Sequence, residues 1–93
     1  MKHYIIVKFK EEADQKELVP RIRELFESAG QIAGGRKAQV YSSAYQLASR
    51  YDLMVCIDLK KGGLNNLVES DLYQSWKEEY SPYIEKETIF DAM

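Results

Sequence analysis

Four stretches of the chain alternate between apolar and polar residues, and two regions between them carry apolar residues at helical spacing. The first strand is predicted over His3 to Phe9. His3, Ile5, Val7 and Phe9 share one face, and Tyr4, Ile6, Lys8 and Lys10 share the other. The first face is expected to meet the helices. Asp14 and Glu17 stand at capping-box spacing, ahead of a helical stripe formed by Leu18, Ile22, Leu25, Phe26 and Ala29. Pro20 is awkward within that stripe, because an interior proline costs about 3 kcal/mol. Either the regular helix begins near Leu18, with Pro20 in its first turn, or it bends there. Gly30 is the expected stop.

A second strand is predicted over Lys37 to Ser43, and a polar connection from Tyr45 to Arg50 leads to a third. There Leu53, Val55, Ile57 and Leu59 alternate with Met54, Cys56 and Asp58, so both faces are apolar around Met54 and Cys56. A strand buried on one side alternates cleanly with polar residues; a second subunit is the expected cover for the other face. A helical region follows from Leu64 to Tyr80, with a break at Ser70-Asp71, where a fresh helix can be capped. Pro82 ends it, and Ile84 to Phe90 returns as the fourth strand. Gly34-Gly35 and Gly62-Gly63 read as turns. The order β-α-β-β-α-β predicts an α+β, ferredoxin-like domain over residues 1–93, with a four-stranded antiparallel sheet. Two copies packing their open sheet faces through Ile6, Met54 and Cys56 would give a dimeric α+β barrel.

Composition narrows the partners. Ninety-three residues hold one core. Such a short chain buries roughly 60–65% of its unfolded surface, which favours a partner subunit. A net charge of −2 supplies no basic field for nucleic acid or an anionic membrane. A single cysteine excludes an internal disulfide and a cysteine-based zinc site. The expected setting is cytoplasmic, with no signal peptide and no membrane span.

Three segments carry a resemblance: Lys2-His3-Tyr4-Ile5-Ile6-Val7-Lys8-Phe9-Lys10, Tyr51-Asp52-Leu53-Met54-Val55 and Glu85-Lys86-Glu87-Thr88-Ile89-Phe90-Asp91. In their order and spacing the chain resembles the stress-responsive A/B barrel family of dimeric α+β barrels. That family includes proteins without an assigned reaction and plant polyketide cyclases that work without a cofactor. The resemblance to the cyclases implies a pocket between sheet and helices, faced by a strand-one histidine and by a His-Pro-x-His segment. His3 matches the first. The second falls on Ser70-Asp71-Leu72-Tyr73, where both histidines are absent and Tyr73 takes the place of the second. Tyrosine titrates near 10 and is a poor base at neutral pH.

His3 is the candidate catalytic residue, paired with Tyr73 or Asp91; alternatively, a nearby carboxylate or carbonyl simply satisfies its ring. Tyr73, Trp76, Tyr80 and Asp91 are the candidate ligand-binding residues, although an aromatic stripe at this spacing also describes a core. Cys56 reads as a small buried apolar residue. No cofactor and no metal site are expected. The sequence thus predicts a homodimer that binds a small apolar or aromatic ligand and catalyses no assigned reaction. The alternative is a cofactor-independent cyclase, isomerase or monooxygenase-like enzyme using His3.

Overall fold

The computed structural model describes residues 1–32 and 35–93; the expected turn at Gly34 therefore lies partly outside them. The elements are β1 (Lys2–Phe9), α1 (Gln15–Phe26), β2 (Gly35–Ser42), β3 (Leu53–Leu59), α2 (Gly63–Val68), α3 (Asp71–Tyr80) and β4 (Ile84–Ala92). The strands form one sheet in the order β2-β3-β1-β4, every pair antiparallel. This is the predicted ferredoxin-like order, with the first strand in the interior of the sheet.

Alternation along β1 explains the layering. His3, Ile5, Val7 and Phe9 are buried, whereas Tyr4, Ile6 and Lys8 are half-buried on the opposite face. Ile5, Val7 and Phe9 of this set pack with Leu53, Val55, Ile57 and Leu59 of β3 and with helix residues Leu18, Ile22, Phe26, Leu72 and Trp76. Burial of a large aliphatic side chain contributes about 1.5–3 kcal/mol, so this layer dominates the stability of the domain. The opposite face carries Met54 beside Ile6, and Tyr41 beside Met54.

The helices differ in detail from expectation. Asp14 caps α1 by accepting the Glu17 N–H at 3.4 Å, as its spacing predicts. The helix nevertheless begins at Gln15 and passes through Pro20 without interruption. Burial of Leu18, Ile22 and Phe26 on one face outweighs the local cost of the proline. The helix ends at Phe26, before Gly30, which lies in a 3-10 turn over Glu27–Gln31. The break at Ser70 appears as predicted: its hydroxyl accepts the Tyr73 N–H at 3.2 Å and starts α3. Gly62, ahead of α2, has φ 81, a left-handed conformation that glycine adopts without a Cβ penalty.

Two features of the sheet position everything that follows. Asp52, 4% exposed, accepts the Phe9 N–H at 2.9 Å, and its own N–H donates to the Val7 carbonyl at 2.8 Å, locking the entry of β3 onto the end of β1. Strand β4 is exposed from Glu85 through Asp91, so its helix-side face stands largely clear of the helices. Its pairing with β1 shifts register between Lys8 and Phe9, leaving Glu85 as an extra residue between Ile84 and Lys86.

Candidate functional site

His3 and Asp91 stand directly opposite each other on β1 and β4, so both side chains point to the helix side of the sheet. Capping by Ser70 sets the rotation of α3 and brings Tyr73 down onto the same place. The three side chains form one chain of hydrogen bonds. His3 Nδ1 lies 2.5 Å from Asp91 Oδ1, and His3 Nε2 lies 3.1 Å from the Tyr73 hydroxyl.

The donor and acceptor roles follow from chemistry. An ionised carboxylate only accepts, so Nδ1–H donates to Asp91. In the neutral imidazole this leaves Nε2 to accept from the Tyr73 hydroxyl. Burial pushes the Tyr73 hydroxyl up to about 12, and the negative charges of Glu87 and Asp91 add to the effect. Tyr73 therefore keeps its proton at neutral pH and acts as a donor. The arrangement holds a histidine in one tautomer between an acid and a phenol, the logic by which carboxylates orient catalytic imidazoles.

The site is dry on one side and open on the other. His3 is 2% exposed and Tyr73 6%, whereas the Asp91 side chain is 36% exposed. Solvent thus meets the chain of hydrogen bonds at its carboxylate end. Beside Asp91, the alternation of β4 places Ile89 and Glu87 on the same helix-side face, and Ile89 is 42% exposed. Across from them on α3, the Lys77 ammonium lies 5.2 Å from the centre of the Tyr73 ring. From the sequence, Glu87 and Lys77 read as solvated surface rather than as part of this site. The two-residue spacing Glu87-Ile89-Asp91 was a usable signal for the first.

The remaining candidates sit elsewhere. Trp76 and Tyr80 are buried in the core, Trp76 edge-on to Phe26 at 5.3 Å and stacked with Tyr80 at 5.5 Å. Burial also raises the Tyr80 hydroxyl above its ordinary value. On the open sheet face, Ile6 and Met54 are half-buried, and Cys56, flanked by Tyr4 and Gln39, is 8% exposed. Phe90 and Tyr41 on the same face are 61% and 47% exposed. No group of three or more metal-binding side chains converges among the described residues. No helix among them is long and apolar enough to cross a membrane.

No protein-family model matches the chain, and no curated protein is similar to it in sequence. Its architecture does have solved counterparts. A dimeric ferredoxin-like protein of unknown function from Thermobifida fusca superposes with a TM-score of 0.80 at 16% identity, covering 99% of this chain and 89% of its own. A Dabb family protein with a ferredoxin-like fold from Mesorhizobium loti gives 0.72 at 11% identity, covering 99% and 93%. Hydroxynitrile lyase from Passiflora edulis gives 0.75 at 13% identity, covering 96% and 87%. At these identities the likeness establishes the fold.

Proposed function

We propose that the chain is a homodimeric protein of the stress-responsive A/B barrel type that binds a small aromatic or apolar ligand bearing a hydroxyl group. The ligand would lie on the helix side of the sheet, over Ile89, with its hydroxyl donating to Asp91. The observation that carries this reading is the Tyr73–His3–Asp91 chain, buried at the imidazole and open at the carboxylate. An oriented carboxylate beside the exposed Ile89 is the kind of sparse polar group that fixes a ligand's orientation. Two neighbouring acidic residues, Glu87 and Asp91, favour a ligand that donates hydrogen bonds over one that brings negative charge. The homodimer is supported by the exposed Phe90 and Tyr41 beside the half-buried Ile6 and Met54 on the open sheet face, and by the dimeric protein from Thermobifida fusca.

The test is an amide chemical-shift screen of phenols and other hydroxylated aromatics. A ligand of the expected class shifts Ile89, Asp91 and Tyr73 saturably and loses affinity in Asp91→Asn. Binding elsewhere on the surface, or binding indifferent to Asp91→Asn, overturns the reading.

A second reading is favoured by the same hydrogen bonds: a cofactor-independent acid–base enzyme of cyclase, isomerase or monooxygenase-like type. In it, His3 would enter as the imidazolium, steadied by Asp91 and carrying a proton on Nε2; Tyr73 would pass its own proton to an oxygen on which negative charge develops and regain one from Nε2, leaving His3 neutral. The hydroxynitrile lyase among the structural neighbours supports such chemistry on this fold. An identified turnover that survives Tyr73→Phe and His3→Ala would exclude it.

A further inference from the structure

A second cluster of polar side chains lies on the other side of the sheet, at the end of β1 remote from His3. Lys8 of β1 and Lys86 of β4 stand directly opposite each other on the open face. Like charges in directly opposed positions destabilise a strand pair. Asp52 compensates in part, at 3.5 Å from the Lys8 ammonium, and Lys8 also donates to the Leu47 carbonyl at 3.0 Å. Lys86 makes no ion pair among the described residues; its ammonium lies 5.9 Å from the centre of the Tyr51 ring. The extra residue Glu85 bends β4 next to this pair, as bulges do where a strand re-aims its side chains.

Between the two lysines and the turn before β3 lies a cavity of about 160 Å³, lined by Lys8, Ser49, Arg50, Tyr51, Glu85 and Lys86 among others. That volume holds roughly five waters at about 30 Å³ each. Three cations and one carboxylate line it, in a protein whose net charge is −2. Tyr51 adds a polarised hydroxyl: it is hydrogen-bonded to Thr88 at 2.8 Å, and that bond, with the nearby Lys86, lowers its pKa despite an opposing contribution from desolvation.

We infer that this cavity binds a small oxyanion, the carboxylate or phosphate group of a soluble metabolite, held by Arg50, Lys86 and the Tyr51 hydroxyl. The anion would relieve the repulsion between Lys8 and Lys86, and the planar guanidinium of Arg50 matches either group through paired N–H donors. Glu85 at the rim limits the charge that can enter and favours a small anion over a polyanionic polymer.

The experiment is a titration of the full-length protein with inorganic phosphate in one arm and acetate in the other, followed by amide shifts at low ionic strength. Saturable shifts at Arg50, Tyr51 and Lys86 in either arm are expected, and the stronger arm identifies the preferred group. Arg50→Met and Lys86→Met each weaken binding by about tenfold, the loss expected when one charged hydrogen-bond partner is removed. Lys61→Met, in the exposed turn before α2, leaves the affinity unchanged. The inference is overturned if neither anion saturates, or if shifts spread equally to Lys60 and Lys61 and the two variants match the parent.

Discussion

Asp91 and His3 form the cross-strand pair that joins the two ends of the chain: 88 residues apart in sequence, they meet at 2.5 Å across β4 and β1. Asp91 lies near the end of the last strand, so this contact fastens the edge strand to the interior of the sheet. Through the other ring nitrogen the same histidine reaches α3. One side chain therefore ties three elements together.

Removing that side chain should be costly for a reason separable from packing. His3→Ala strands the buried Tyr73 hydroxyl and leaves Asp91 without its donor, a combination that costs about 2–3 kcal/mol. Urea denaturation should show it, together with faster amide exchange along β4. Asp91→Asn retains an acceptor for Nδ1–H and should cost about half as much. Equal losses in the two variants would indicate that the negative charge of Asp91, rather than hydrogen-bond satisfaction, stabilises the pair.

The raised pKa of Tyr73 predicts an alkaline limb of stability. Its folded value, about 12, lies above the ordinary 10, so the folded protein holds the phenolic proton more tightly than the unfolded chain does. Below pH 10 this contribution is complete. From pH 10 to 12 the unfolded chain binds fewer protons, and stability falls as pH rises. After allowance for solvent screening of Glu87 and Asp91, the loss is about 1 kcal/mol. Tyr73→Phe should flatten this part of the profile relative to the parent; an unchanged slope would place the titration on other tyrosines.

Strand positions were legible in the sequence because each buried strand alternates or is continuously apolar. The Ser70 cap was legible because it interrupts a helical stripe with a residue that accepts N–H groups. Helix α1 was harder. Pro20 argues for a start near Leu18 or a bend, yet tertiary burial of Leu18, Ile22 and Phe26 holds a helix from Gln15 onward. Gly30 looked like a terminator, but the chain leaves the α conformation at Phe26 and tightens into a 3-10 turn. At the candidate site, His3, Tyr73 and Asp91 could be named from the sequence. That all three converge depends on strand register and on the rotation of α3, which local periodicity does not determine.

Asp52 offers a test of the brace at the other end of β1. It is 4% exposed and satisfies the Phe9 N–H while lying 3.5 Å from Lys8. Asp52→Ala should cost about 2 kcal/mol by leaving a buried N–H unpaired. Asp52→Asn keeps an oxygen in place and should cost about 1 kcal/mol or less. Thermal unfolding of both variants distinguishes a hydrogen-bonding role from a charge role: similar destabilisation would favour charge.

The open sheet face makes its own prediction. Met54 sits near its centre, flanked by Ile6 on β1 and Tyr41 on β2. The parent protein should sediment as a dimer at micromolar concentration, and Met54→Lys, which places a charge at the middle of the apolar face, should sediment as a folded monomer. A parent that sediments as a monomer would remove the proposed role of Ile6, Met54 and Cys56.

Trp76 is the least satisfied polar side chain of the core. It is 1% exposed, and its indole Nε1–H finds no acceptor among the described residues. An unsatisfied buried donor costs about 1–3 kcal/mol. Its ring is nevertheless held edge-on by Phe26 and stacked against Tyr80, a packing whose loss on truncation to alanine costs about 3–5 kcal/mol. These effects oppose each other in Trp76→Phe, which gives up part of the ring contact but also removes the orphan donor. That variant should lie within about 1 kcal/mol of the parent, while Trp76→Ala loses the full packing contribution. Because the chain has a single tryptophan, unfolding must be followed by circular dichroism rather than indole fluorescence. If Trp76→Phe proves as damaging as Trp76→Ala, the indole shape rather than its unsatisfied N–H governs this part of the core.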